Sequence, residues 1–121
     1  MENKPLILGV DRNRRNLELL TQFLNKEGYE AIAVTSLEDM DKTLNESEAI
    51  QLAIVDISGF DSRIWESCER LREMRTPFLV LSPRQVAAIQ QASLTHGAQG
   101  MLIKPLVAKE LLALIRSLLE E

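Results

Sequence analysis

Cysteine and histidine occur once each in this chain, as Cys68 and His96. A lone cysteine closes no internal disulfide, which fits a reducing compartment. With no second histidine, no cysteine cluster and no Glu-x-x-His pattern, a zinc-type site has no ligand set to draw on. Aromatic residues make up only 4% of the chain, too few for a stacking pocket of the flavin-binding kind. No apolar stretch is long enough to cross a bilayer. Met1-Glu2-Asn3-Lys4-Pro5 leads directly into a short apolar run without the layout of a signal peptide, so the cytoplasm is the expected location. No glycine-rich loop follows that first run, which disfavours a dinucleotide or P-loop site. Basic charge is also short: 14 Lys and Arg face 18 Asp and Glu, a formal net charge of -4. A phosphate-backbone surface needs clustered Lys and Arg, so direct nucleic-acid binding by this segment is not expected.

What is present is enough for a core. Hydrophobic residues are 45% of 121 positions, which suits one domain over residues 1–121. Short apolar runs alternate with amphipathic patterns. Leu6–Val10 reads as a first strand, followed by a helix with Leu17, Leu20 and Leu24 on one face and Gly28 as its stop. Glu30–Val34 is a second strand. Ser36 is placed to cap a second helix, with Asp39 at the capping-box position and Leu37, Met40 and Leu44 as its stripe; it runs out in the polar loop of residues 45–48. A third strand ends at Asp56. Asp61 or Ser62 can then cap a helix bearing Ile64, Cys68 and Leu71. Phe78–Ser82 is the fourth strand, with Pro83 expected early in the next helix. That fourth helix carries only Val86, Ile89 and several alanines, and is expected to dock lightly. After His96-Gly97 comes a short fifth strand, then a last helix rich in leucine: Leu111, Leu112, Ile115, Leu118 and Leu119. Five such βα units predict a parallel sheet with right-handed crossovers and helices on both faces, a three-layer α/β sandwich.

Four of the apolar runs end in polar residues of different chemistry: Asp11, Asp56, Ser82 and Lys104. In an open parallel sheet, strand C-termini emerge on one edge, where ligands bind. Two carboxylates, a hydroxyl and an ammonium in one shallow pocket suit phosphoryl transfer to a carboxylate. Asp56 can attack a phosphoryl donor to form a mixed anhydride. Lys104 and Ser82 supply a cation and a hydrogen bond to the transferring oxygens. Asp11 helps hold a divalent cation.

With those residues in place, the chain resembles the receiver domain of two-component response regulators along nearly its whole length. The likeness rests on Gly-Val-Asp at 9–11, the strand ending at Asp56, Val-Leu-Ser at 80–82, and the block Gly97-Ala98-Gln99-Gly100-Met101-Leu102-Ile103-Lys104-Pro105. The resemblance implies a flavodoxin-like (βα)5 fold with strand order 2-1-3-4-5. It implies Asp56 as phosphoacceptor, Lys104 as the phosphate-contacting lysine, Ser82 as the switch hydroxyl, and a candidate cis peptide at Lys104–Pro105. It also implies a regulatory domain rather than an enzyme, with at most self-catalysed phosphotransfer. The partners it implies are a sensor histidine kinase and an output domain or partner protein engaging the surface of the fourth helix, fifth strand and last helix. A homodimer through the last-helix face is open.

The departures matter too. Arg12 stands where the family has a second acid that ligates Mg²⁺, and a guanidinium cannot ligate a cation. Met101 replaces the switch aromatic. The loop after Asp56 reads Ile57-Ser58-Gly59-Phe60-Asp61, where the Ser58 backbone carbonyl can still face a metal. Two readings of Arg12 stand open: it takes the metal's place by pairing with Asp56 or Asp11, or it points to solvent while the two acids bind Mg²⁺ poorly. Either makes the metal site of Asp11, Asp56 and Ser58 weak or absent. The alternative function is a phosphorylation-independent pseudo-receiver, a protein-interaction module, and a flavodoxin-like binding protein or small enzyme ranks last. Elsewhere, His96 reads as a dipole partner at a helix C-terminus and Trp65 as an edge residue able to mark a partner surface. Arg70, Arg72 and Arg75, interleaved with Glu66, Glu69 and Glu73, read as a salt-paired helix face.

Overall fold

The computed structural model describes residues 4–47, 49–84 and 86–120. Met1–Asn3 and Glu48, at the end of the expected polar loop, lie outside them. Five strands, β1 (Leu6–Val10), β2 (Glu30–Val34), β3 (Ile50–Asp56), β4 (Phe78–Ser82) and β5 (Gly100–Ile103), pair in parallel in the order 2-1-3-4-5. They alternate with α1 (Arg14–Lys26), α2 (Leu37–Glu46), α3 (Arg63–Glu73), α4 (Ala87–Thr95) and α5 (Ala108–Glu120). This is the flavodoxin-like sandwich expected.

The pleat divides the core in two. Along β4, Phe78 and Val80 face one side with Met40, Leu44, Ile64, Cys68 and Leu71 of α2 and α3. Leu79 and Leu81 face the other with Leu24 of α1 and Leu111 and Ile115 of α5. Successive side chains of a strand point to opposite faces, so a strand coated on both sides must be apolar throughout. Full burial of one such side chain contributes roughly 1.5–3 kcal/mol. The β1–α1 layer is close: a Cβ on Gly9 would sit 3.3 Å from methyl carbons of Leu17 and Leu20. Burial pushes the Cys68 thiol up to about 12, leaving it a small apolar core residue.

The helix ends follow local chemistry. Asn13 caps α1 by accepting from Asn16 N–H, and Gly28, at φ +96°, ends it while Tyr29 N–H bonds Leu24 C=O at 2.9 Å. Ser36 caps α2 as expected, its hydroxyl accepting from Asp39 N–H at 3.1 Å; α2 then runs on to Glu46, into the segment expected as loop. Ser62 is the N-cap residue of α3 but makes no side-chain cap bond. Asp61 accepts from Arg63 N–H at 2.9 Å instead.

Two expectations are corrected. Pro83 does not open α4, which starts at Ala87 with Val86 at its cap; Pro83 lies in a bend after β4. Among the three arginines, Arg72 pairs in its own helix with Glu69, but Arg70 reaches across to Asp41 and Asn45 of α2. As expected, α4 docks lightly: Ser93 is its one buried residue and Leu94 is 66% exposed.

Candidate functional site

Strand register assembles the site. Val10 pairs with Val55, and Asp56 with Leu81, so Asp11 and Asp56 follow on adjacent strands at one edge. Ser82 pairs with Ile103, and Lys104 N–H donates to Ser82 C=O at 2.8 Å. Four residues distant in sequence therefore reach one rim. Asp11 is 7% exposed, Asp56 1% and Ser82 0%.

The Lys104 ammonium lies 2.6 Å from Asp56 Oδ2. The other oxygen, Oδ1, accepts from Ser58 N–H at 2.9 Å. Asp11 Oδ1 likewise accepts from Asn13 N–H at 2.8 Å. Each carboxylate is thus aimed by the turn that follows it. Burial holds the Asp11 carboxyl above the usual carboxylate range. The charge of Asp56 and a side-chain contact with it push the same way, against the Asn13 N–H and the Asn16 side chain. Two buried acids, only Asp56 of them paired with a lysine, leave negative charge unbalanced, and that is an environment for a further cation.

The predicted site residues do not all take the expected posture. Ser82 is at the rim, but its hydroxyl donates to Arg84 C=O at 2.8 Å and accepts from Arg84 N–H at 3.3 Å. Arg12 pairs with neither Asp11 nor Asp56. Its guanidinium donates to Gly59 C=O at 3.3 Å and lies 5.9 Å from the Phe60 ring centre. The reading in which Arg12 takes the metal's place by ion pairing is therefore corrected: Lys104 holds Asp56, and Arg12 is exposed between β1 and α1, reaching over to the β3–α3 loop. The Lys104–Pro105 peptide is cis, as anticipated.

A cleft of about 490 Å³ opens beside Asp11, Asp56 and Lys104, walled by Leu19, Leu20 and Phe23 of α1 and by Leu106 after β5. Asn16 lines it too. Sequence reading passed over Asn16; its signal was an amide in the first turn of the helix that follows a strand-end acid.

The sequence matches the profile of the response regulator receiver domain over residues 7–116. This chain belongs to that family. Among curated proteins, a transcriptional regulatory protein, GltR, of Pseudomonas aeruginosa is 35% identical across 97% of this chain and 50% of its own length. A heme response regulator, HssR, of Staphylococcus epidermidis is 29% identical across 91% of this chain and 49% of its own. The chain spans about half the length of these relatives. A CheY-like receiver domain protein from Methanospirillum hungatei superposes with a TM-score of 0.85 at 26% identity, covering 95% of this chain and 93% of that one. A two-component response regulator from Clostridium difficile reaches 0.89 at 22% identity over 98% of each chain, which speaks to fold alone.

Receiver domains are regulatory and commonly bind Mg²⁺ at the acidic pocket. The residues here fit such an ion in a reduced form. Mg²⁺ takes one or two carboxylates and completes its shell with water and phosphate oxygens; Asp11 and Asp56 meet that minimum, and Arg12 is tied to Gly59. Among the described residues no cluster of three or more acidic, histidine or cysteine side chains supplies a fuller cage. No described helix is long and apolar enough to cross a membrane.

Proposed function

We propose that this domain receives a phosphoryl group on Asp56 from the phosphohistidine of a sensor histidine kinase and uses it to switch a partner-binding surface. The observation that carries the reading is the Lys104–Asp56 ion pair at 2.6 Å, seated on an almost fully buried carboxylate beside a second acid. In the transfer, an Asp56 carboxylate oxygen forms the new bond to phosphorus while the bond from phosphorus to the donor imidazole breaks. Ser58 N–H orients the carboxylate through Oδ1. Lys104 moves its ammonium from Oδ2 to a phosphoryl oxygen, so the incoming charge meets a cation already in place. Asp11, Asp56 and the Ser58 backbone carbonyl would hold Mg²⁺, which when bound neutralises charge on the phosphoryl oxygens. With one acid fewer than the family pattern, that affinity is weak.

Ser82 gives the switch its cost. Its hydroxyl is already satisfied by Arg84, so turning toward a phosphoryl oxygen means giving up two hydrogen bonds to the β4–α4 loop. Each is worth about 0.5–1.5 kcal/mol, and a charge-assisted bond to the phosphoryl group replaces them. The loop is thereby released next to α4, the most lightly docked helix. The α4–β5–α5 face is the surface this change reaches, with an output domain, a partner protein or a second copy as its occupant. A cytoplasmic location agrees with a kinase partner. The phosphate-independent alternative finds no favouring observation, since Arg12 stands apart from an intact Asp56–Lys104 pair.

Adding beryllofluoride and Mg²⁺ and recording amide NMR spectra tests the reading. Shifts centred on residues 56–58, 82–84 and 104 are expected. An unchanged spectrum at high beryllofluoride and Mg²⁺ would oppose it.

A further inference from the structure

The cleft beside Asp56 has two chemically different ends. Asn16, Leu19, Leu20 and Phe23 recur at helical spacing and line it from one face of α1. The rise along the helix from Asn16 to Phe23 is about 10 Å. Asp11, whose carboxyl the Asn16 side chain contacts, stands at the Asn16 end with Asp56 and Lys104. Toward Phe23 the α1 wall is apolar. Among the described residues lining the cleft, Asp11 and Asp56 are the only acids. Leu20, Phe23 and Leu106 pack on the core yet stay partly uncovered, and Leu19 is 49% exposed.

At the polar end, two ionised carboxylates face one ammonium, which leaves one negative charge over. Asp11 carries it: the residue is 7% exposed, and among the described residues no cation pairs with it. The arginines nearby in sequence are engaged elsewhere. Arg12 donates to Gly59 C=O, Arg15 lies 3.8 Å from Glu18, and Arg14 lines a separate hollow beside Ala33. A buried acid without a cation, opening onto an apolar wall, is complementary to a single positive charge on an apolar body. We propose that the cleft binds a small hydrophobic monoamine, with its ammonium on the Asp11 carboxylate and its apolar body along Leu19, Leu20 and Phe23. A diamine does not fit, because its second charge would lie against Phe23 with no acid to meet it. A hydrophobic carboxylate does not fit either, because it adds a third negative charge where Lys104 already holds Asp56. Mg²⁺ completes its shell with water and other oxygens, which leucine walls do not offer, so it uses the polar end alone. The amine and Mg²⁺ therefore share Asp11 and exclude each other. The inference uses an acid of the proposed metal site but stands without phosphoryl transfer.

Amide NMR of the full chain, titrated with phenylbutylamine in buffer free of Mg²⁺ and phosphate mimics, tests the amine site. Saturable shifts centred on residues 11–23 and 104–111 are expected. Phenylbutyrate, with the same body and the opposite charge, and putrescine, with two charges and no ring, should each bind about tenfold more weakly or worse. Asp11→Asn, which keeps an oxygen for Asn13 N–H, should lose about tenfold in affinity for the amine, and Leu19→Ala, at a half-exposed position, about threefold. Added Mg²⁺ should raise the amine's apparent dissociation constant. No saturable shift up to about 10 mM amine would overturn the proposal. So would equal binding of phenylbutylamine and phenylbutyrate, or an affinity unchanged in Asp11→Asn. The beryllofluoride titration reads the phosphoryl site separately, so either claim can fail while the other holds.

Discussion

Lys104 and Asp56, 48 residues apart in sequence, form an ion pair with Nζ 2.6 Å from Oδ2. The carboxylate side chain is 2% exposed and the lysine 26%. The pair is therefore asymmetric: the acid depends on the lysine, while the lysine still reaches water. Breaking a fully buried pair costs about 3–5 kcal/mol because the partner charge is stranded.

Lys104→Met is expected to cost less than that limit, about 1–3 kcal/mol, since Lys104 is partly solvated. The double variant Lys104→Met with Asp56→Asn should recover most of the loss, because no charge is then stranded. Urea denaturation of the parent chain, both single variants and the double variant measures the coupling. A near-additive result would show that the two side chains do not depend on each other.

Asp11 sets a pH dependence. Its carboxyl is held above the usual value of 3.8, first by burial. The folded state therefore binds the proton more tightly than the unfolded chain. That contribution to stability is complete below the ordinary carboxylate range and is lost as pH rises through the elevated value. Asp11→Asn keeps an oxygen for Asn13 N–H and removes the titration. It should be more stable than the parent chain at neutral pH, with the advantage vanishing in acid. Urea midpoints across that range check the sign.

Arg12 leaves room for the missing acid. Its guanidinium is spent on Gly59 C=O and the Phe60 ring, both on the surface loop. Arg12→Asp would add a carboxylate next to Asp11 and should tighten Mg²⁺ binding on the order of tenfold, about 1.4 kcal/mol. Calorimetric titration of both proteins gives the ratio. Equal affinities would mean that position 12 does not face the ion.

Arg75 follows α3 in the left-handed region, at φ 60°, where Thr76 N–H bonds Leu71 C=O at 2.9 Å. Glycine usually fills this place at a helix end. Arg75→Gly should stabilise the fold by about 0.5–1 kcal/mol, the relief of a side chain in that region less the added freedom of the unfolded chain. Thermal melting reads it as a higher midpoint.

Much of this molecule was legible because a doubly covered parallel sheet writes itself plainly. Leu6–Val10 and Phe78–Ser82 are apolar on both faces and end in polar residues, so their bounds and their common rim could be read directly. The α4 boundary was harder. Pro83 favours a helix start locally, but Ser82 folds its hydroxyl back on Arg84 and delays the helix to Ala87. The posture of Arg12 depends on a loop 47 residues away, and its long side chain carries no local signal of its partner. The Trp65–His96 stack was invisible for the same reason: each residue looked ordinary in its own helix, and only the packing of α4 on α3 joins them. Arg70, which crosses to α2, shows that residue types alone do not assign ion pairs within a helix.

Incubating the chain with acetyl phosphate and Mg²⁺, then weighing the intact protein and mapping the modified residue, tests phosphoacceptance most directly. One added phosphoryl group on Asp56, absent from Asp56→Asn and slowed in Lys104→Met, is the predicted result. An unmodified protein under conditions that phosphorylate a control receiver, or an adduct on another residue that survives in Asp56→Asn, would contradict it.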